Sequence, residues 1–264
     1  KPQDVHYLEW QEVQTFIEAA NRATDISELK SLLNDMSRAL GFHYFALVHH
    51  IDIHSVPMDA VQLVEYPATW AEKVVDKDYF GDDPVKAACQ KMAAGFRWSQ
   101  IGNVIDLTSR QKEILQSAGQ EGLGEGFTVP VHIPGEYAGS CSFSVRSGRD
   151  FPDEAVPALQ YAGIFSFEAA RRIFRKSAEK LPPAPPPRLT DRQLDCLLLV
   201  ARGKSDWDTG HVLGISDQTV HSHIENAKRK YGVSTRTQLV THALFDASLT
   251  FADVMRGQHP LTRG

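Results

Sequence analysis

A run of prolines divides this chain into two parts. Five of the six residues at 182–187 are proline, interrupted by Ala184 alone. Proline lacks a backbone N–H and fixes φ, so the run cannot continue a helix or pair within a sheet, and it favours extended polyproline II. We interpret residues 181–188 as a linker between two domains. The alternative is a surface loop inside one domain.

The two parts differ in charge. Residues 1–180 carry a net charge of −7 and residues 181–264 a net charge of +2, within a total of −5 for 264 residues. An acidic part followed by a mildly basic part suggests separate tasks, the second near nucleic acid. The 42% hydrophobic content is typical of packed globular proteins and argues against wholesale disorder.

Several features predict a reduced, cytoplasmic protein without a membrane span. No apolar run reaches the roughly 18 residues of a transmembrane helix, and the sequence from Lys1 to Asp4 lacks a signal-peptide pattern. The cysteines are odd in number and widely spaced, which argues against a disulfide framework and a zinc site. They are Cys89, Cys141 and Cys196.

The first part mixes helical and strand periodicity. Helices are predicted over 7–23, 26–40, 69–76, 83–94, 109–120 and 152–180, and strands over 42–53, 60–66, 126–133 and 140–146. A turn is expected at 55–57. Helices grouped around hairpin-joined strands indicate an α+β fold, an N-terminal α/β/α sandwich with a mostly antiparallel sheet, over residues 1–180.

The second part reads as four short helices over 189–249, followed by a tail at 250–264. Thr190, Ser205 and Ser216 are typical N-caps. The tight turn between the second and third helices is typical of an all-α helix-turn-helix domain.

One face of the third helix carries apolar residues at helical spacing, and the other carries hydrogen-bonding groups suited to a major groove. Five cations, Lys204, Lys228, Arg229, Lys230 and Arg236, can neutralise phosphates. The alternative is an ordinary solvated helix face.

Residues 189–244 resemble, without a gap, the DNA-binding domain of LuxR-type transcription regulators. The matching motifs are Leu189-Thr190-x-Arg192, Ala201-x-Gly203-Lys204, Leu213-Gly214-Ile215-Ser216, Thr219-Val220-x-x-His223, Lys230-x-Gly232-Val233 and Arg236. The residues expected to contact DNA are Lys204, Thr219, His221, Ser222, His223, Glu225, Asn226, Lys228, Arg229 and Arg236. The chain departs from the family at Gln193, at Asp208-Thr209-Gly210 and at His221.

The first part resembles the acyl-homoserine-lactone-binding domain of the quorum-sensing branch of this family. The motifs occur in order: Tyr66-Pro67-x-x-Trp70, Asp83-Pro84-Val85, Trp98, Gly126-x-Thr128-x-Pro130 and the strand from Ser140 to Val145. The resemblance implies a small amphiphilic effector, no other cofactor and no enzymatic activity.

The resemblance also implies a polar clamp. Asp83 would accept from the ligand amide, Trp70 would donate to the lactone carbonyl, and Tyr66 to the acyl carbonyl. Ser142 would complete the polar set, Trp98 would pack near the lactone ring, and Ala46 and Val48 would line the acyl tail. The family normally has Tyr where this chain has Val74, so a different acyl group, a non-lactone metabolite, or no ligand stays open.

Two other patterns in the sequence lack the spacing or context of a metal site or a dinucleotide-binding loop. His49-His50 and His54 lack Cys or Glu at metal-ligand spacing, and the glycines at 122, 124 and 126 lack the context of a dinucleotide loop. The two resemblances together imply a ligand-responsive regulator that binds a two-fold-symmetric operator as a homodimer, with RNA polymerase as a further partner.

Overall fold

The computed structural model describes residues 10–51, 60–177 and 187–255. The chain divides into two compact units, one comprising 1–132 and 137–180, the other 133–136 and 181–264. Residues 181–186 of the predicted linker and the turn predicted at 55–57 lie outside the described residues.

A five-stranded sheet organises the first unit. Its strands are β1 (Tyr44–His49), β2 (Gln62–Glu65), β3 (Phe96–Arg97), β4 (Leu123–Val131) and β5 (Gly139–Arg146). Their order is β2-β1-β5-β4-β3, and every neighbouring pair is antiparallel. The predicted antiparallel sheet is confirmed.

Helices cover both faces of this sheet. On one side lie α1 (Trp10–Arg22), α2 (Ile26–Ala39) and α7 (Val156–Ser177), packed on apolar residues of β1, β4 and β5. On the other lie α3 (Ala68–Asp76), α4 (Pro84–Cys89), α5 (Ile101–Val104) and α6 (Ser109–Gln120). Because strand side chains alternate between faces, Phe45 and Leu47 enter the first layer while Ala46 and Val48 face the second.

The described part of the second unit contains five helices: α8 (Asp191–Ala201), α9 (Asp206–Leu213), α10 (Asp217–Tyr231), α11 (Arg236–Phe245) and α12 (Phe251–Met255). The side chains of Thr190, Ser205 and Ser216 accept N-terminal amide hydrogen bonds, as predicted. Gly214 ends α9 with a φ of 67°, a left-handed conformation that favours glycine. The unit has its own apolar core.

Some predicted boundaries were wrong. The helix predicted to 94 ends at Cys89, because the chain must turn so that Gly95 fits against the ring of Phe127, where a Cβ would lie 2.2 Å from the ring. The two-residue strand β3 and the short helix α5 have no clear periodicity, and the sequence did not reveal them.

The tail predicted at 250–264 begins instead as helix α12. The Thr250 hydroxyl accepts from the Asp253 amide, at 3.1 Å, as a helix cap. Arg202 donates to the backbone carbonyl of Asp253 at 2.6 Å, which fastens α12 to the end of α8. Among the described residues, no helix is both long and apolar enough to cross a membrane.

Candidate functional site

A cavity of about 410 Å³ lies in the first unit, between the sheet and its second helical layer. Its floor is the face of β1, β2 and β5 that carries small residues, and its walls come from α3, α4 and α6. All eight residues predicted to bind ligand line it: Ala46, Val48, Tyr66, Trp70, Val74, Asp83, Trp98 and Ser142. Segments distant in sequence thus converge on one cavity.

Three polar groups cluster at one end of the cavity. Burial raises the pKa of the Tyr66 phenol well above its ordinary value, an effect reinforced by the charge of Asp83 and opposed by a hydrogen bond with Ser142. Tyr66 therefore keeps its hydroxyl proton and can donate it. Thr128 extends the cluster, since its hydroxyl lies 2.8 Å from the Ser142 hydroxyl.

Asp83 is both a helix cap and a cavity residue. Its Oδ1 accepts from the Val85 amide at 2.8 Å at the start of α4. Burial raises the pKa of the Asp83 carboxyl, whereas the amides of Val85 and Lys86 and the charge of Lys86 lower it. The same carboxyl lines the cavity, so capping does not remove it from the site.

Trp98 is held by its neighbours. Its indole Nε1 donates to the Thr128 hydroxyl at 2.9 Å. Its ring lies flat against Gly126, where an added Cβ would come within 2.4 Å of ring atoms. Glycine at 126 thus permits the close approach that fixes the indole as a packing surface in the wall.

The volume beside Trp70 is partly taken by another ring. Trp70 and Tyr79 are 7% and 3% exposed, and their ring centroids are 5.9 Å apart. Val74 lies in the same apolar cluster and also lines the cavity. Tyr79 therefore supplies an aromatic wall on this side of the cavity, close to the position where the family has a tyrosine and this chain has valine.

Sequence reasoning missed four polar residues that line the cavity: His50, Gln62, Lys86 and Ser140. Strand alternation puts His50 on the same face as Ala46 and Val48, and Ser140 on the same face as Ser142, whereas Gln62 is positioned by its pairing with Val48. Apolar wall residues from α6, Ile114, Leu115 and Ala118, were missed as well.

In the second unit, α10 has the two faces that the sequence predicts. Val220, Ile224 and Ala227 are fully buried in the core. Thr219, His221, Ser222 and Arg229 are exposed, and His223, Glu225 and Asn226 are partly exposed. Lys204 is also exposed, just before α9.

Two predicted phosphate-binding cations are engaged within the protein. Both terminal nitrogens of Arg236 donate to Asp206 at 2.6 Å, and His221 Nδ1 lies 3.5 Å from the same carboxylate. Lys228 pairs with Glu225 at 2.9 Å, and its side chain is only 15% exposed. The sequence predicts that Arg236 and Lys228 neutralise phosphates; in the structure each is paired with a carboxylate of the same unit.

Lys230 is also engaged within the protein. It donates to the Arg188 carbonyl at 2.7 Å and to Gln193 at 2.8 Å. It ties α10 to the residues around the start of α8. Exposed Arg229 donates to Asn226. The cations on the surface near α10 that are most available to DNA are therefore Arg229 and Lys204.

Gly210 allows α9 to approach the turn that precedes α10. A Cβ at this position would lie 2.6 Å from the Ile215 carbonyl oxygen, and the Ile215 amide donates to the Gly210 carbonyl at 3.0 Å. Glycine lowers helix stability by about 1 kcal/mol, but this contact explains its presence in α9.

Two family models match the chain. The model described as "Autoinducer binding domain" matches residues 25–170, and the one described as "Bacterial regulatory proteins, luxR family" matches residues 187–243.

Similar proteins have related descriptions. The putative HTH-type transcriptional regulator y4qH of Sinorhizobium fredii is 33% identical over 74% of this chain and 59% of its own length. The transcriptional activator protein BjaR1 of Bradyrhizobium diazoefficiens is 29% identical over 68% of this chain and 72% of its own.

Among solved structures, Escherichia coli SdiA shares the fold with a TM-score of 0.61 at 22% identity, over 90% of this chain and 97% of that one. A second SdiA structure, in complex with octanoyl-rac-glycerol, has the same TM-score and identity over 92% and 97%. With an autoinducer-binding domain followed by a helix-turn-helix domain, the chain belongs to the LuxR family of transcriptional regulators.

Proposed function

We propose that this regulator binds an N-acyl-homoserine lactone in the cavity of the first unit. The observation that carries the proposal is the convergence of Tyr66, Trp70, Asp83 and Ser142 on one apolar cavity. Such a lactone offers one amide N–H, two carbonyls and an apolar tail. The Asp83 carboxylate accepts from the amide, the Trp70 indole donates to the lactone carbonyl, and Tyr66 with Ser142 binds the acyl carbonyl.

Such a site selects among ligands according to whether each ligand satisfies the hydrogen-bonding groups of the cavity. A ligand without the amide would occupy the cavity without making this hydrogen bond to the Asp83 carboxylate, whose other acceptor sites are capped by backbone amides of α4, and so would bind less tightly. Apolar residues of α6 and of β1 then accept the tail.

In the second unit, α10 enters the major groove of a palindromic operator and reads it through His221, Ser222, His223, Glu225 and Asn226. Thr219, Lys204 and Arg229 contact phosphates. The regulator acts as a homodimer, since two-fold operators match two-fold proteins, and RNA polymerase is its partner in transcription.

For the dimer, α7 offers exposed apolar side chains. Tyr161 and Ile164 are 41% and 44% exposed, and Trp10 of α1 packs edge-on against Tyr161 at 4.8 Å. Ile164→Glu should shift sedimentation velocity toward the monomer while circular dichroism stays unchanged. A dimer of undiminished strength would place the interface elsewhere.

A second candidate effector is a non-lactone amphiphile. Val74 favours it, because the chain lacks the family's usual tyrosine in this wall. The solved SdiA complex provides a concrete test compound, octanoyl-rac-glycerol.

The experiment titrates the purified full chain with straight, branched and aromatic acyl-homoserine lactones, and with octanoyl-rac-glycerol, by calorimetry. Lactone binding that Tyr66→Phe and Asp83→Asn both weaken supports the proposal. Binding of the glycerol ester alone, or of no compound, rejects it.

A further inference from the structure

The cavity has further polar groups besides those that we propose hold the head group. Ser140 lies two residues before Ser142 on β5, about 7 Å along the strand, a distance that a short acyl chain spans. The Ser140 hydroxyl is within 2.9 Å of His50 Nε2. His50 Nδ1 is buried and has no hydrogen-bond partner among the described residues.

Lys86 approaches these groups from the opposite wall. It lies one helical turn after Asp83 on α4 and lines the same cavity. Its ammonium group is 4.6 Å from the centre of the Phe80 ring. Among the described residues it has no carboxylate within ion-pair distance.

The pKa of His50 responds both to burial and to the charge of Lys86. Burial lowers the pKa of His50 to about 4, and the positive charge of Lys86 adds to the effect. The imidazole is therefore neutral at pH 7 and offers one donor and one acceptor nitrogen. Gln62, from β2, lines the cavity beside it.

We infer that the ligand's acyl group ends in an oxygen-bearing polar group, a hydroxyl or a carboxylate, which Lys86, His50 and Ser140 bind. This inference rests on the proposed lactone function and specifies its tail. A methyl-terminated tail of the same length would cover the Lys86 ammonium and the His50 nitrogen without satisfying them, and buried polar groups without partners penalise binding.

The test uses the purified full chain and three lactones with acyl chains of the same carbon number: an alkanoyl lactone, its ω-hydroxy counterpart and its ω-carboxy counterpart. Dissociation constants are measured by calorimetry. We expect one of the two oxygen-terminated lactones to bind about tenfold more tightly than the alkanoyl lactone. A preference for the ω-carboxy lactone assigns the main contact to Lys86, and a preference for the ω-hydroxy lactone assigns it to His50 and Ser140.

Two variants and one control locate the effect. Lys86→Met keeps the aliphatic stem and removes the charge, and Ser140→Ala removes the hydroxyl at a buried position that tolerates a small side chain. Each should reduce or abolish the preference. Lys91→Met changes an exposed lysine just beyond α4 and should leave it intact.

The outcomes separate this inference from the proposed function. If the alkanoyl lactone binds as tightly as both oxygen-terminated lactones, or more tightly, the tail assignment is wrong and lactone binding stands. If the preference survives in both Lys86→Met and Ser140→Ala, these residues do not bind the tail terminus and the inference is overturned. If no lactone binds to protein that circular dichroism shows to be folded, both proposals fail.

Discussion

Asp83, in the cavity wall, combines a structural role with the ligand contact that we propose for it. One of its oxygens caps α4, while the carboxyl lines the cavity. Seen only as sequence, Asp-Pro is a common helix start; the cavity beside it is what gives the carboxylate a second role.

Asp83→Asn tests that role. Asparagine is as good an N-cap as aspartate, so the fold should persist while a charged acceptor becomes an amide. We expect lactone binding to lose about 2 to 3 kcal/mol by calorimetry. Asp25→Asn is the matched control, because Asp25 caps α2 through the Ser27 and Glu28 amides away from the cavity. If the two variants bind the lactone equally well, Asp83 acts only as the N-cap of α4.

Val74→Tyr tests the shape of the cavity. The added ring would compete with Tyr79, which already lies 5.9 Å from Trp70, and should narrow the path of the tail. Bulky or branched lactones should lose about 1 to 3 kcal/mol of binding free energy relative to slender ones. Thermal stability is measured in parallel, and a less stable variant with an unchanged ligand ranking would make position 74 part of the core.

The predictability of these residues differs for physical reasons. Trp70, Asp83 and Trp98 belong to ordered motifs, so resemblance places them in the site. His50, Gln62 and Lys86 belong to no motif, and their roles depend on which strands pair and on how α4 packs, since pairing partners are distant in sequence.

At the scale of elements, the ion pair of Asp206 and Arg236 joins the start of α9 to the start of α11. The Arg236 hydrogen bond is the main cause that lowers the pKa of the Asp206 carboxyl. Replacement of Asp206 by Asn should lower the free energy of unfolding by about 1 kcal/mol at neutral pH.

The difference in unfolding free energy between wild type and Asp206→Asn should become smaller as the pH is lowered. A lowered folded-state pKa stabilises the protein above the unfolded value of about 4, and this contribution disappears as the pH falls through the folded-state pKa. Urea unfolding at pH 7 and pH 3 of wild type and Asp206→Asn measures it. A difference that stays constant between the two pH values contradicts the ion pair, and Asp191→Asn, at an exposed position in α8, provides the control.

Glu225, on the face of α10 that we propose enters the major groove, carries a charge that would oppose DNA binding. Glu225 is paired with Lys228, so removal of the carboxylate both ends repulsion of phosphate and frees a cation. Glu225→Ala should tighten binding overall, steepen the salt dependence by about one phosphate contact, and change the ranking of operators. Mobility-shift assays on an operator library at several salt concentrations measure all three effects.

Arg229→Ala is the counterpart on the same helix. Arg229 is exposed, and its loss should weaken all operators alike. An unchanged ranking in Glu225→Ala, together with a changed ranking in Arg229→Ala, would reverse these assignments.

At the scale of the whole molecule, the architecture was largely predictable, while its small elements were not. Amphipathic helices and alternating strands carry strong periodicity, which placed α6 and β5 almost to the residue. Two-residue β3 and four-residue α5 are set by tertiary contacts of Gly95 and Trp98, and no local pattern encodes them.

The two units have separate apolar cores with no common member, which leads to a prediction for the whole protein. Scanning calorimetry of the full chain should show two unfolding transitions. A lactone at a hundred times its dissociation constant should stabilise the first unit against unfolding by about 2.7 kcal/mol. An operator duplex should stabilise the second unit. Ser142→Ala should weaken only the response to lactone. If one transition responds to both ligands, the units unfold together, and the lactone must control DNA binding through shared stability rather than through assembly of the dimer.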